Sequence, residues 1–154
     1  MKIAFIGAGR LVQALAPAFQ QAGFDVAAIA ARSPVSAAAA LPAGAGWQIC
    51  AHAQQAADMA DLVFIAVSDA AIAQVAGQIA WRPGQSVVHC SGATEVSALD
   101  VAAQQGARIG GFHPLQLFAD PGVALRCMAG SSVAIEAEAA LETALQQLAQ
   151  AVGY

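Results

Sequence analysis

Charge is scarce in this chain. Only 10% of its 154 residues are Asp, Glu, Lys or Arg, and the net charge is -4. The six basic residues form no cluster, which removes the electrostatic footprint a nucleic-acid partner requires. Cysteine is nearly absent as well. Cys50, Cys90 and Cys127 lie far apart with no Cys-x-x-Cys spacing, which argues for a reducing cytoplasm and buried thiols rather than a disulfide framework. The spacings of Cys50-x-His52 and His89-Cys90 match no structural zinc pattern, and strand neighbours point to opposite faces, so no metal is expected. A Gly-x-Ser-x-Gly elbow is missing, against a serine hydrolase. Long apolar runs are missing too, although 58% of the residues are hydrophobic. The span from Ala60 to Trp81 is broken by Asp61, Asp69, Gln74 and Gln78, so no membrane helix is supported and no membrane partner is expected. The apolar run at the start is too short for a signal peptide before its glycines.

What is present is an alternation. Apolar segments of strand length alternate with helical segments, the signature of an α/β fold with a doubly wound, mainly parallel sheet and helices on both faces. Strands are predicted at Lys2 to Ile6, Asp25 to Ala30, Gly46 to Cys50, Leu62 to Val67, Ser86 to His89, Arg108 to Phe112 and Ser132 to Glu136. Helices are predicted from Arg10 to Ala22, with Pro17 awkward inside it, from Ser33-Pro34 to before Pro42, and from Ala70 to Ala80 with Asp69 as a cap. Two more span Glu95 to Gln105 and Glu138 to Val152. The Ala43 to Gly46 run reads as a loop, and Gly110 to Gly130 as one long irregular, functional stretch. At 154 residues the chain suits a single domain, 1-154, with one compact core.

The first strand breaks directly into Gly7-Ala8-Gly9-Arg10-Leu11-Val12 and a helix. In that context the glycines turn the backbone and leave room for a pyrophosphate, which Arg10, Leu11 and the helix N-terminus receive. Val12 stands where a third Gly or Ala usually lets helix and strand pack closely, so it is expected to push the helix outward or widen the loop. After the second strand, Ala31-Arg32-Ser33 replaces the acidic residue that holds the ribose of NAD. A 2′-phosphate can pair with the Arg32 guanidinium and the Ser33 hydroxyl, which favours NADP (NADPH) while leaving NAD open. Val67 and Ser68, after the fourth strand, are expected along the ribose side, with Asp69 a plain helix cap. The fifth strand ends in His89-Cys90-Ser91-Gly92-Ala93, where His89 reads as a satisfied core residue and Ser91 as a functional one. His113 falls at the end of the sixth strand before Pro114, and imidazole suits proton transfer near neutral pH.

Five segments then resemble a known family in order: Gly7 to Arg10, Ala31 to Ser33, Ala60 to Asp69, Val88 to Ala93 and Phe112 to Phe118. Together they are similar to the Rossmann half of the bacterial Rossmann-like/DUF2520 oxidoreductases, related to 6-phosphogluconate dehydrogenase, pyrroline-5-carboxylate reductase and the F420-dependent NADP reductases. The His-Pro-Leu-Gln segment is the most specific part. The resemblance implies a dinucleotide and a small-molecule substrate as partners, with catalytic roles for Ser91 and His113. It also implies a following helical domain for substrate and dimerisation, absent from this sequence. The expectation is therefore an NADP-linked oxidoreductase acting on a small carbonyl, imine or hydroxy compound. The alternative is a nucleotide-binding sensor or partner-dependent module without turnover. An exposed apolar patch at Leu115 to Phe118 or on the last helix is expected, through which the chain could form a homodimer.

Overall fold

The computed structural model describes residues 1-42 and 44-154. Among these, seven strands form one sheet: β1 (Lys2–Ile6), β2 (Asp25–Ala30), β3 (Gln48–Cys50), β4 (Leu62–Ile65), β5 (Ser86–His89), β6 (Arg108–Pro114) and β7 (Val133–Ala137). The order is β3-β2-β1-β4-β5-β6-β7, parallel throughout except for β7, which runs antiparallel to β6. Crossovers diverge between β1 and β4. That divergence opens a crevice at the carboxyl ends of those strands, the usual ligand position in a doubly wound sheet.

The helices are α1 (Arg10–Gln21), α2 (Pro34–Ala40), α3 (Ala53–Asp58), α4 (Ile72–Gly77), α5 (Asp100–Ala103), α6 (Pro121–Arg126) and α7 (Ala139–Val152). They divide the core into two unlike halves. On one face α1, α2, α6 and α7 cover an aromatic cluster of Phe5, Phe19, Phe64 and Phe112. Phe64 stacks on Phe5 at 5.1 Å and meets Phe112 edge-on at 5.5 Å, geometries that add to simple area burial. On the other face α3, α4 and α5 press alanines against the sheet: Ala56, Ala57, Ala76 and Ala102. Small side chains let these short helices sit close. The buried Gln85 amide there donates to the carbonyls of Ala57 and Ala60, at 2.8 and 2.9 Å.

Local chemistry explains where the helices begin and end. Ser33 caps α2 through the Ser36 N-H, and the Asp120 carboxylate caps α6 through the Val123 N-H at 2.8 Å, each followed by proline at the first helical position. Gly153, at φ +98, closes α7 in the left-handed conformation. α1 runs through Pro17, which cannot donate to the Gln13 carbonyl.

Several expectations need correction. Gly110 to Gly130 is not one irregular stretch. Pairing with β7 carries β6 on to Pro114, and Asp120-Pro121 starts a helix that hydrophobic periodicity is too short to reveal. α3 is six residues with no side-chain cap and was not predicted. The predicted helices at 70-80 and 95-105 each begin as a 3-10 turn, Asp69–Ala71 and Val96–Leu99, before short α segments. Asp69 is not a cap, since its carboxylate makes no capping hydrogen bond. β3 starts at Gln48 rather than Gly46, and β4 ends at Ile65 rather than Val67. The Ala43 to Gly46 loop is seen from Gly44 onward, with Ala43 outside the described residues. Cys50 is buried, Cys90 is half-buried with its thiol turned inward, and Cys127 is exposed. The apolar patch is present as Leu115 and Leu117, 59% and 88% exposed, whereas Phe118 packs on the core and α7 buries Leu141, Leu145 and Leu148. No helix is long and apolar enough to cross a membrane.

Candidate functional site

At the end of β1 the Gly7 N-H donates to the Ala30 carbonyl at 2.8 Å, tying the turn to β2. Gly7 has φ +114, and a Cβ there would collide with the Ala66 carbonyl, whose carbon would lie at 2.9 Å. Only glycine serves at this position. Gly9 is different. It holds an extended conformation ahead of α1, and a Cβ there would meet nothing within 4 Å. The first intrahelical bond is Gln13 N-H to Gly9 C=O at 3.0 Å, which leaves the amides of Arg10, Leu11 and Val12 unpaired at the helix's positive end. Of these, the Arg10 and Leu11 amides belong to residues that reach the surface, and open space at Gly9 ahead of them is an anion cradle that fits a pyrophosphate. Val12 is fully buried among the core residues. The exposed Arg10 donates to the Ala119 carbonyl at 3.3 Å, joining the cradle to the segment that follows β6.

Arg32 follows β2, is exposed, and makes no hydrogen bond or ion pair among the described residues. Ser33 Oγ is already engaged, donating to Ser36 Oγ at 2.8 Å while capping α2. Val67 and Ser68 follow β4 on the same sheet edge, half-buried and exposed respectively.

The second concentration of polar groups lies across β5, β6 and β7. A cavity of about 350 Å³ is lined by His89, Ser91, Thr94, Glu95, His113 and Glu136, with Gly92 and Gly111 between them. The structure thus brings the two predicted catalytic residues, Ser91 and His113, into one cavity. Ser91 is largely committed to holding its loop: Oγ accepts from the Ala93 N-H at 3.1 Å and donates to Thr94 Oγ1 at 3.0 Å. His113 is half-buried, with its ring lying over Gly92, where a Cβ would stand 2.6 Å from Cδ2 and Cε1. Its Nδ1 is 3.2 Å from the Cys90 carbonyl, and a carbonyl can only accept. Nδ1 therefore carries the proton, and Nε2 of the neutral ring is free and basic.

His89 has the opposite arrangement. Its Nδ1 accepts the Ser91 N-H at 3.3 Å, so in the neutral ring Nε2 carries the proton. That Nε2 is buried without a partner, an arrangement that costs about 1–3 kcal/mol in a folded chain. The reading of His89 as a satisfied core residue therefore holds in part: the ring is buried and its Nδ1 is paired, but its Nε2 has no partner among the described residues. Burial pulls its pKa below the ordinary value, opposed by the Glu95 backbone and by the Glu136 and Asp69 carboxylates. Burial also pushes the Cys90 thiol up to about 12, which keeps it protonated and no nucleophile.

His89, Gly111 and Glu136 are direct neighbours in register across three strands. The missed residues of the site are thus His89, Gly111 and Glu136. Period-two alternation would put His89 on the face of Val87, but which residue of β6 lies beside it is set by pairing that the sequence does not display. Cys50 and His52 do not join His89 and Cys90: among the described residues no group of three or more His, Cys, Asp or Glu is placed to hold a metal.

The fold matches many solved structures. A pyrroline-5-carboxylate reductase from Coxiella burnetii is 18% identical with a TM-score of 0.79, the match covering 98% of this chain and 56% of that one. A reductive aminase from Aspergillus terreus, solved with NADPH and ethyl-5-oxohexanoate, is 17% identical with a TM-score of 0.79, covering 99% and 53%. A prephenate dehydrogenase from A. aeolicus, solved with hydroxyphenyl propionate and NAD+, is 14% identical with a TM-score of 0.79, covering 99% and 57%. At such identities the likeness shows the Rossmann fold, and the chain spans about half the length of these solved relatives. No protein of curated function matches the sequence. Residues 2-92 match the family described as NADP oxidoreductase, coenzyme F420-dependent, and the chain belongs to that family.

Proposed function

We propose that this chain is a single NADP-binding domain of an oxidoreductase that moves hydride to or from a small carbonyl, imine or hydroxy compound. The observation that carries the reading is the pair of amides at Arg10 and Leu11, without partners among the described residues, at the start of a helix beside the open space at Gly9. There the backbone from Gly9 to Leu11 binds pyrophosphate without a charged side chain. Arg32, unengaged by any described residue, selects the 2′-phosphate, with the Ser33 hydroxyl turning from Ser36 to assist. Val67 and Ser68 flank the ribose side. When bound, the nicotinamide supplies the hydride chemistry.

The chain's own residues handle the proton. With Nδ1-H held by the Cys90 carbonyl, His113 Nε2 takes a proton from a substrate hydroxyl in the oxidative direction and returns it in the reductive one. Ser91 keeps the loop beneath that ring in shape through Ala93 and Thr94.

Titrating NADPH and NADH separately into the purified chain, read by nicotinamide fluorescence, tests this. NADPH should bind more tightly. Arg32→Ala should weaken NADPH roughly fivefold, about 1 kcal/mol for an exposed charge-assisted contact, and leave NADH unchanged. Binding of neither nucleotide overturns the reading, and a preference for NADH removes the role of Arg32. Tight NADPH binding without turnover on any carbonyl would favour a binding module instead.

A further inference from the structure

The cavity across β5, β6 and β7 has a chemical bias that the dinucleotide reading leaves unused. His89, which lines it, is itself buried, and its Nε2-H is a donor with no partner among the described residues. Directly above it in register stands Gly111. A Cβ there would lie 3.8 Å from His89 Cε1 and 4.0 Å from Glu136 Cβ, so glycine leaves the gap between these two side chains empty. The rim carries the carboxylates of Glu95 and Glu136, and Asp69 is near enough to act on the His89 ring. Among the described residues no lysine or arginine lines the cavity. A buried donor seeks an oxygen acceptor, and a rim of carboxylates repels anions. The volume, about 350 Å³, suits a small organic molecule.

We propose that this cavity takes a small carbonyl or hydroxy compound bearing no negative charge, with the His89 Nε2-H donating to its oxygen and Glu95 and Glu136 turning carboxylate substrates away. The proposal rests on the oxidoreductase reading and narrows its substrate class. It gives the two histidines complementary work, His89 donating to the oxygen of the substrate while His113 presents a basic nitrogen to the same cavity.

Three methyl ketones of equal carbon number serve as probes: hydroxyacetone is neutral, aminoacetone cationic and pyruvate anionic. They are titrated to millimolar concentration into the 15N-labelled full chain, with and without NADPH, following the imidazole resonances of His89. Hydroxyacetone and aminoacetone should shift His89 Nε2 and bind about tenfold more tightly than pyruvate. Glu136→Gln should narrow that gap. Gly111→Ala adds a methyl group whose nearest neighbour, Val96 Cγ2 at 3.6 Å, is at ordinary contact distance, and Gly111 needs no positive φ. That variant should keep its cooperative thermal transition and lose the His89 response. Pyruvate binding as tightly as the others, His89 unmoved by every ketone, or an undiminished response in Gly111→Ala would each overturn the proposal. Nicotinamide fluorescence in the same samples reports separately on the cofactor. Probes that shift His89 in a chain that does not bind NADPH would sink the dinucleotide reading and keep the pocket, and NADPH binding with His89 silent would do the reverse.

Discussion

The phosphate loop and the β5 to β7 edge are both polar openings at the same end of one sheet, yet they are built from different parts of the chain. At the loop the donors are backbone amides of Arg10 and Leu11. At the edge they are side chains, two imidazoles with opposite protons and a rim of carboxylates. Each region pairs a glycine whose missing side chain the protein fills with one whose space it leaves open. Ala66 occupies the place beside Gly7, and the His113 ring lies over Gly92, whereas Gly9 faces open space and Gly111 leaves a methyl-sized gap beside His89 and Glu136. The difference separates glycines that shape the fold from glycines that admit a partner.

The sharpest way to break that distinction is to add one methyl group at each kind of glycine. Gly7→Ala combines a positive φ with a collision against backbone that cannot swing aside, so it should cost about 3–5 kcal/mol of stability and leave the chain largely unfolded at modest urea. Gly9→Ala meets nothing and needs no unusual dihedral. It should cost at most about 1 kcal/mol as a poorer helix cap, yet weaken NADPH on the order of tenfold by filling the cradle. Urea unfolding and fluorescence titration of both variants give the comparison. Equal stability losses would mean that Gly9 is a turn residue with no ligand role.

The edge answers with a smaller effect. In Gly92→Ala the new methyl would overlap the His113 ring, a side chain that can rotate, so the fold survives. The ring must leave the Cys90 carbonyl, and with it goes the hydrogen bond that holds the proton on Nδ1. NADPH affinity should stay near that of the parent chain while the imidazole 15N shifts of His113 move towards a mixture of tautomers. Unchanged shifts would mean that Gly92 does not set the ring's position.

These two regions were not equally legible. A backbone site needs only glycines at the right spacing between a strand and a helix, and Gly7, Gly9 and the free amides were readable for that reason. The α/β alternation, the end of α1 and the start of α2 at Ser33-Pro34 were readable because each is a local signal. The edge depends on which residues lie side by side across strands far apart in the chain. His113 and Ser91 could be suspected from their place after strands. His89 could not, because its face is shared with Val87 and its partner positions, Gly111 and Glu136, come from register and from the reversal of β7. Val12 shows the converse. A rule about helix-strand packing singles it out, and the structure buries it completely in the same core cluster as Phe5, Leu15 and Phe64.

The smallest expected effect tests whether the edge alone responds to mild acid through His89. Burial favours the neutral ring in the folded chain, so its pKa lies below the ordinary value of 6.5. As pH falls through that value, the unfolded chain takes up a proton that the folded chain still refuses. The unfolded state then binds more protons, and stability must decline with falling pH until the lowered folded pKa is reached. Urea midpoints at about pH 7.5 and about pH 5.5 should therefore drop in the parent chain and drop less in His89→Gln, which cannot titrate in this range. Gly9→Ala should show the full drop, since no titrating group sits in the cradle. A drop of the same size in His89→Gln would assign the acid sensitivity to other groups and remove His89 as the distinguishing feature of the edge.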